Sequence, residues 1–184
     1  MLSAVFLDRD GVINENREDY VKSLDELKLL PGAAEAIARL SGAGFRIVIV
    51  SNQQGIGRGL ISPETLERIN RKILAELAAA GAVVAGIYYC PHRKEEDCEC
   101  RKPKPGLLRK ASTDLGIDLA GSVLIGDSPR DVQAGRSVGS LTILVLSGKT
   151  RPEEIPNLDA KPHYVAADLS DAADWILRRF QPRK

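Results

Sequence analysis

Residues 4–12 read Ala-Val-Phe-Leu-Asp-Arg-Asp-Gly-Val: four apolar residues without a break, two acids around an arginine, then a turn glycine. An unbroken apolar run of this length suits a strand buried on both faces, as in a parallel sheet. Ile47 to Val50, Val123 to Ile125 and Leu141 to Leu146 have the same character, and Ile87 to Tyr89 reads as a further short strand. Helical patterns lie between them. Pro31 to Leu40 has helical spacing and stops near Gly42 and Gly44. Ser62-Pro63-Glu64 supplies an N-cap, a proline suited to the first turn and an early acid. In the helix that Ser62 opens, Leu66, Ile69, Ile73 and Leu77 step by three and four along one face. Leu107 to Leu115, Pro129 to Val138 and Leu169 to Phe180, the last capped near Asp168, complete the helices. Strands that alternate with helices are joined by right-handed crossovers, so the expected fold is an α/β protein. It is a single-domain three-layer α/β/α sandwich with a Rossmann-like parallel sheet over residues 1–184. Gly148 to Pro162 reads as a surface connection and Gln181 to Lys184 as a frayed tail.

Composition narrows the function classes. The 184 residues are 43% hydrophobic and 28% charged, which is ordinary for one globular domain and excludes disorder. Lys plus Arg number 26 against 25 acids, so no global field gathers nucleic acid or an anionic membrane. Aromatic residues make up 4%, too few for a base-stacking platform. No apolar run approaches the roughly 18 residues that span a bilayer, and the N-terminus lacks the order of a signal peptide. The expectation is a cytoplasmic monomer without nucleic-acid or membrane partners.

In an open parallel sheet, ligands bind beyond the carboxyl ends of the strands. The first strand runs into Asp8-Arg9-Asp10-Gly11, the second into Ser51-Asn52-Gln53, and the one ending at Ile125 into Gly126-Asp127-Ser128-Pro129-Arg130-Asp131. Either Asp8 or Asp127 alone reads equally well as a turn former. Acids gathered on one rim repel one another unless a cation lies between them, and hard oxygen ligands suit Mg²⁺, which in turn suggests a phosphate substrate.

The three cysteines all lie between positions 90 and 100, an odd count crowded into one loop, which argues against a disulfide framework. With one imidazole they form Cys90-x-His92-x₅-Cys98-x-Cys100, a full tetrahedral Cys₃His set with no position open for water, as in structural zinc sites. Arg93, Lys94, Glu95, Glu96 and Asp97 leave the loop without a core of its own, so metal has to fix it. Arg101 and Lys102 follow directly after its last ligand.

These features together resemble the haloacid dehalogenase superfamily of phosphatases. Asp8-Arg9-Asp10-Gly11-Val12 is similar to its first motif, Ser51 to its second, Lys102 to its third, and Gly126-Asp127 with Asp131 to its fourth, in the family's order. The resemblance implies that Asp8 attacks phosphorus to form an aspartyl-phosphate, with Lys102, Ser51 and backbone N–H groups balancing the phosphoryl oxygens. Asp10 then serves as general acid and base, a duty that requires a carboxyl that is sometimes neutral. It further implies Mg²⁺ on the side chains of Asp8 and Asp127 and on the Asp10 main-chain carbonyl, with Asp131 orienting Lys102 or a water on the metal. The zinc loop, through Tyr89-Cys90-Pro91-His92 and Cys100-Arg101-Lys102-Pro103, resembles one branch of the superfamily. That branch lacks a large cap domain and holds heptose-bisphosphate and histidinol-phosphate phosphatases. Ser51 to Gly59 and Gln133-Ala134-Gly135 lean toward the heptose-bisphosphate side. They imply a phosphorylated sugar cleaved at its 7-phosphate, in making nucleotide-activated heptose for lipopolysaccharide or surface glycan. Asn52, Gln53, Gln54, Arg58 and Tyr20 would line the sugar and Arg101 would select it. Asn14 to Asp19 also reads as a solvated turn. Ser128 departs from relatives that carry a basic residue there, and Arg130 is the nearest substitute. A receiver-type signalling domain shares strand-end acids and Mg²⁺, but it has no use for Asp10 or the zinc loop. His163 reads as an ordinary surface residue.

Overall fold

In a two-sided strand, successive side chains leave in opposite directions, and the first strand shows this directly. Val5 and Leu7 enter one buried cluster while Ala4 and Phe6 enter the other. A computed structural model describes residues 4–180; Gln181 to Lys184, expected as a tail, lie outside the described residues. The elements alternate as β1 (Ala4–Leu7), α1 (Ala33–Gly42), β2 (Arg46–Asn52), α2 (Pro63–Ala79), β3 (Val84–Cys90), α3 (Gly106–Leu115), β4 (Val123–Gly126), α4 (Pro129–Ser137), β5 (Leu141–Val145), β6 (Tyr164–Ala166) and α5 (Leu169–Arg179).

All five strand pairings are parallel, in the order β3-β2-β1-β4-β5-β6. Helices α1, α2 and α5 cover one face through residues such as Ile37, Ile73 and Ile176, and α3 and α4 cover the other through Leu108, Ala111 and Ala134. This is the three-layer sandwich expected from the sequence, and the order reverses at β1, between β2 and β4. There the carboxyl ends splay apart and a crevice forms. No helix among the described residues is long and apolar enough to cross a membrane.

The helix starts follow from local chemistry. Ser62 Oγ accepts the Thr65 N–H at 3.1 Å with Pro63 in the first turn, and Asp168 accepts the Asp171 N–H at 2.9 Å. Two expectations change. β3 is longer than its apolar core: Ala85 drops out of register as an irregularity in the ladder, and pairing to β2 resumes at Gly86. β6, three residues at the end of the proline-rich connection, is too short to stand out from its surroundings, yet it pairs with β5.

Phe6 is fully buried beneath α3 and α4. Phe6→Ala removes a ring that this face cannot collapse around, and a loss of about 3–5 kcal/mol is expected in urea unfolding. A cost under about 1 kcal/mol would contradict the packing described.

Candidate active site

The rim at the carboxyl ends of β1, β2 and β4 is built around a buried ammonium. Lys102 Nζ lies 3.1 Å from Asp8 Oδ1 and 2.7 Å from Asp131 Oδ1, and donates to the Val50 carbonyl at 2.8 Å. Burial works against its charge, but Asp131 and Asp8 outweigh burial and hold its pKa above the usual lysine value. Asp131 opposes burial in the same way: Lys102 and the Ser128 hydroxyl, at 2.6 Å, keep it ionised below the usual range. The Ser128 hydroxyl is thereby committed to Asp131 as the cap of α4.

Two carboxyls are left under-compensated. Burial pushes Asp8 up to about 7; Lys102 pulls against this, while Asp131, Asp127 and Asp10 add to it. Asp127 is raised to about 6, first by burial and then by Asp131. Oxygens of Asp8, Asp127 and Asp131 lie within 4.8 Å of one another. Asp127 Oδ2 accepts the Lys149 N–H at 2.9 Å, but its buried Oδ1 has no partner. A divalent cation would satisfy that oxygen and relieve both raised carboxyls. The donor set is all oxygen, as Mg²⁺ requires, so the residues fit it. Asp131 spends one oxygen on Lys102 and the other on Ser128, whereas Asp8 and Asp127 keep the raised, under-compensated carboxyls that a cation would relieve.

The backbone closes tightly on Asp127. A Cβ on Gly11, which has φ +86°, would come within 2.2 Å of Asp127 Oδ2, and one on Gly148 would come equally close. Thr150 donates both its N–H and its hydroxyl to the Asp127 carbonyl, at 3.1 and 2.7 Å. The start of the connection expected to be mere surface is therefore part of the site, and Thr150 is buried. Nothing in its own sequence marks it, because its partner lies just past the end of β4, 23 residues earlier.

The residues expected to hold zinc converge. Sγ of Cys90 lies 3.5 Å from that of Cys98 and 3.6 Å from His92 Nδ1; Cys100 Sγ is 3.4 Å from Cys98 Sγ and 3.3 Å from His92 Nδ1. A tetrahedron with Zn–S of about 2.3 Å places its sulfurs about 3.8 Å apart, so a small inward-facing set of this size fits Zn²⁺. No disulfide joins the thiols.

Residues expected to line the sugar divide into two groups. Tyr20 and Gln54 clasp each other, Gln54 Nε2 donating to the Tyr20 hydroxyl at 2.6 Å, and Arg58 is exposed. Asn52 instead grips the main chain of Lys102, accepting its N–H and donating to its carbonyl at 3.0 Å each. Gln53 is only 1% exposed and turns inward to Asp10 and Ser51, at 2.8 and 3.1 Å. Arg101 is buried and donates to the His92 carbonyl at 3.3 Å. His163 is exposed and receives the Thr142 N–H from β5, a structural role. Arg9 was not singled out by the sequence reading. It is 1% exposed and forks Nη2 across both oxygens of Asp10 at 2.9 Å. For Asp10, burial is outweighed by Arg9, Asn14 and Gln53, so its carboxyl sits below the usual range. In this geometry it is ready to take a proton, not to give one.

A nucleophile-type aspartate, an acid two residues on, a lysine and a metal-ready aspartate at the switch point of a parallel sheet define a haloacid-dehalogenase-type hydrolase. A HAD-hydrolase-like family model matches residues 99–172. D-glycero-beta-D-manno-heptose-1,7-bisphosphate 7-phosphatase of Bordetella bronchiseptica is 40% identical over 177 residues, 96% of this chain and 99% of that protein. The enzyme of that name from Pseudomonas aeruginosa is 45% identical over 147 residues, 80% of this chain and 83% of its own. Among solved structures, D,D-heptose 1,7-bisphosphate phosphatase from B. bronchiseptica, complexed with magnesium and phosphate, superposes with a TM-score of 0.89. It is 39% identical, covering 97% of this chain and 99% of that one. The chain belongs to this family of heptose-bisphosphate phosphatases within the HAD-like hydrolases.

Protons compete with Mg²⁺ for Asp8 and Asp127, so its affinity should fall as the pH drops through about 7 and then about 6. Calorimetric titration across that window tests this, and a pH-independent affinity would contradict the ligand assignment. Elemental analysis of the parent should find one zinc per chain. Cys98→Ala should lose it and melt lower, because the charged loop has no other core.

Proposed function

We propose that the chain hydrolyses the 7-phosphate of D-glycero-β-D-manno-heptose 1,7-bisphosphate through an aspartyl-phosphate on Asp8, as a cytoplasmic monomer. The observation that carries this reading is the buried Lys102 bridging Asp8 and Asp131 beside the partnerless Asp127 oxygen, in a chain whose relatives bear that activity in their names. Mg²⁺ would be held by Asp8, Asp127 and the Asp10 carbonyl. When bound, it supplies positive charge against the phosphoryl oxygens. Zn²⁺ would be held by Cys90, His92, Cys98 and Cys100 and would only fix the loop.

The chain's own groups divide the reaction between them. Asp8 attacks phosphorus: an Asp8 O–P bond forms while the bond from phosphorus to the sugar oxygen breaks. Lys102, already fixed by three contacts, and the Ser51 hydroxyl neutralise charge on the equatorial oxygens without having to reorganise. Asp10 gives its proton to the leaving alkoxide, then accepts one from the water that releases inorganic phosphate and restores Asp8. An incoming phosphate dianion raises the Asp10 pKa by like-charge repulsion, which moves this clamped carboxylate toward its donating state.

We assign the second phosphate to a basic cleft beside the reacting centre. A cleft of about 220 Å³ beside Lys102 is lined by Lys94, Arg101, Lys104 and Arg130, with Asp97 as its one acid. Its cations would give an open site a charged handle remote from the bond that breaks, with Arg130 as the nearest basic side chain to Ser128 in sequence on that lining.

Phosphorus NMR of the reaction should show the 7-phosphate released and the 1-phosphate retained. Asp8→Asn should reduce turnover by about 10³-fold or more with the fold intact. Turnover of histidinol phosphate more than about tenfold better than the heptose bisphosphate would overturn the substrate assignment.

A further inference from the structure

Behind Asp10 lies a buried polar network that the hydrolysis itself does not use. Asp10 Oδ1 accepts from Arg9 Nη2 and from Asn14 Nδ2, both at 2.9 Å. Oδ2 accepts from Arg9 Nη2 at 2.9 Å and from Gln53 Nε2 at 2.8 Å. Arg9 Nη2 shares its two hydrogens among both oxygens and Gln53 Oε1, so donors on each oxygen fix the direction and plane of the carboxyl without filling all of its roughly four lone-pair positions. Gln53 is itself held: its Nε2 also reaches Ser51 Oγ at 3.1 Å, and its Oε1 accepts from Arg9 Nη2 at 3.1 Å. Turning the amide over would set its NH₂ against the guanidinium, so Arg9 dictates which way Gln53 points.

The network is costly. Arg9, Asn14 and Gln53 are 1%, 0% and 1% exposed, and Arg9 Nε and Nη1 and Asn14 Oδ1 have no partner. Apolar residues would close the end of a sheet without leaving buried donors and a buried acceptor unmatched. What the arrangement achieves is a carboxyl aimed in one direction and tied, through one amide, to the hydroxyl that meets the phosphate.

We propose that Arg9 and Gln53 are positioning residues that aim the Asp10 carboxyl at the leaving oxygen and keep it in register with Ser51. This rests on Asp10 acting as acid and base, as proposed above. Gln53→Met keeps the length of the side chain and removes its hydrogen bonds, so Asp10 gains freedom while the cleft is unchanged. Proton donation matters most for a poor leaving group, so the heptose bisphosphate, which leaves as an alkoxide, is compared with p-nitrophenyl phosphate, which leaves as a stable phenolate.

The metal-loaded enzyme is assayed for kcat/KM, which reports through formation of the aspartyl-phosphate. Gln53→Met should lose about tenfold or more on the heptose bisphosphate and less than about threefold on p-nitrophenyl phosphate. Calorimetric affinity for the heptose bisphosphate, measured with Asp8→Asn to prevent turnover, should change by less than about twofold on adding Gln53→Met. Equal losses on both substrates, no loss on either, or an affinity weakened about tenfold would overturn the proposal, the last by making Gln53 a substrate contact. Arg9→Lys, which keeps the charge and loses the fork, carries the same comparison should Gln53→Met fail to fold. Asp10→Asn separates the two readings. If it shows the leaving-group imbalance and Gln53→Met does not, positioning alone fails; if it lacks the imbalance, the acid-base role fails and takes positioning with it.

Discussion

The Lys102 ammonium, buried with its charge intact, is the constraint that the rest of the site serves. A charge removed from water costs several kcal/mol unless neighbours compensate it, and a buried pair rarely stabilises a fold more than apolar residues of the same size would. Asp8, Asp131 and the Val50 carbonyl supply that compensation here, from the ends of β1, the start of α4 and β2. Each of those elements must keep its place for the others to be tolerable. A site organised in this way is stiff before substrate arrives, and fixed charge is what phosphoryl transfer requires.

Holding Lys102 there falls to a loop that cannot hold itself. Residues 93–97 are all charged and exposed, and the packing that fixes the loop comes from outside it: Cys90 is buried at the end of β3, and Asn52 grips the Lys102 backbone from β2. The Cys₃His set joins the β3 end to Cys100, two residues before Lys102, so metal at one site and charge at the other are mechanically linked. A metal held there would act on the Lys102 site through the backbone, by fixing the segment that carries it.

Asp127 shows a second way of fixing a carboxylate. Its surroundings are backbone: Gly11 and Gly148 leave room for it, and Lys149 and Thr150 take up its Oδ2 and its carbonyl. Its Oδ1 is left without a hydrogen-bond partner. Asp10 is the opposite case, with side-chain donors from Arg9, Asn14 and Gln53 on both of its oxygens. The two carboxyls belong to the same rim and differ in their partners, backbone for one and side chains for the other, and their pKa values shift in opposite directions.

The sequence by itself determined the layers, the rim and the zinc loop. Unbroken apolar runs declare doubly buried strands, ligand types at close spacing declare a metal loop, and acids placed just after strands declare the rim; all three are local properties of the chain. It also supplied Asp8, Lys102, Asp127 and Asp131, which the fold brings together as expected. Only the tertiary structure decided which way the residues beyond the strand ends turn. The family resemblance implies Gln53 and Asn52 as sugar contacts, and the fold also engages them with Arg9, 44 residues from Gln53, and with the Lys102 main chain, 50 residues from Asn52. Thr150 reads as surface until Asp127, 23 residues earlier, claims it. Past the end of a strand the alternation rule no longer applies, and a polar side chain goes wherever a hydrogen-bond partner has been left unmatched, which is a property of the assembled chain and not of its neighbours in sequence.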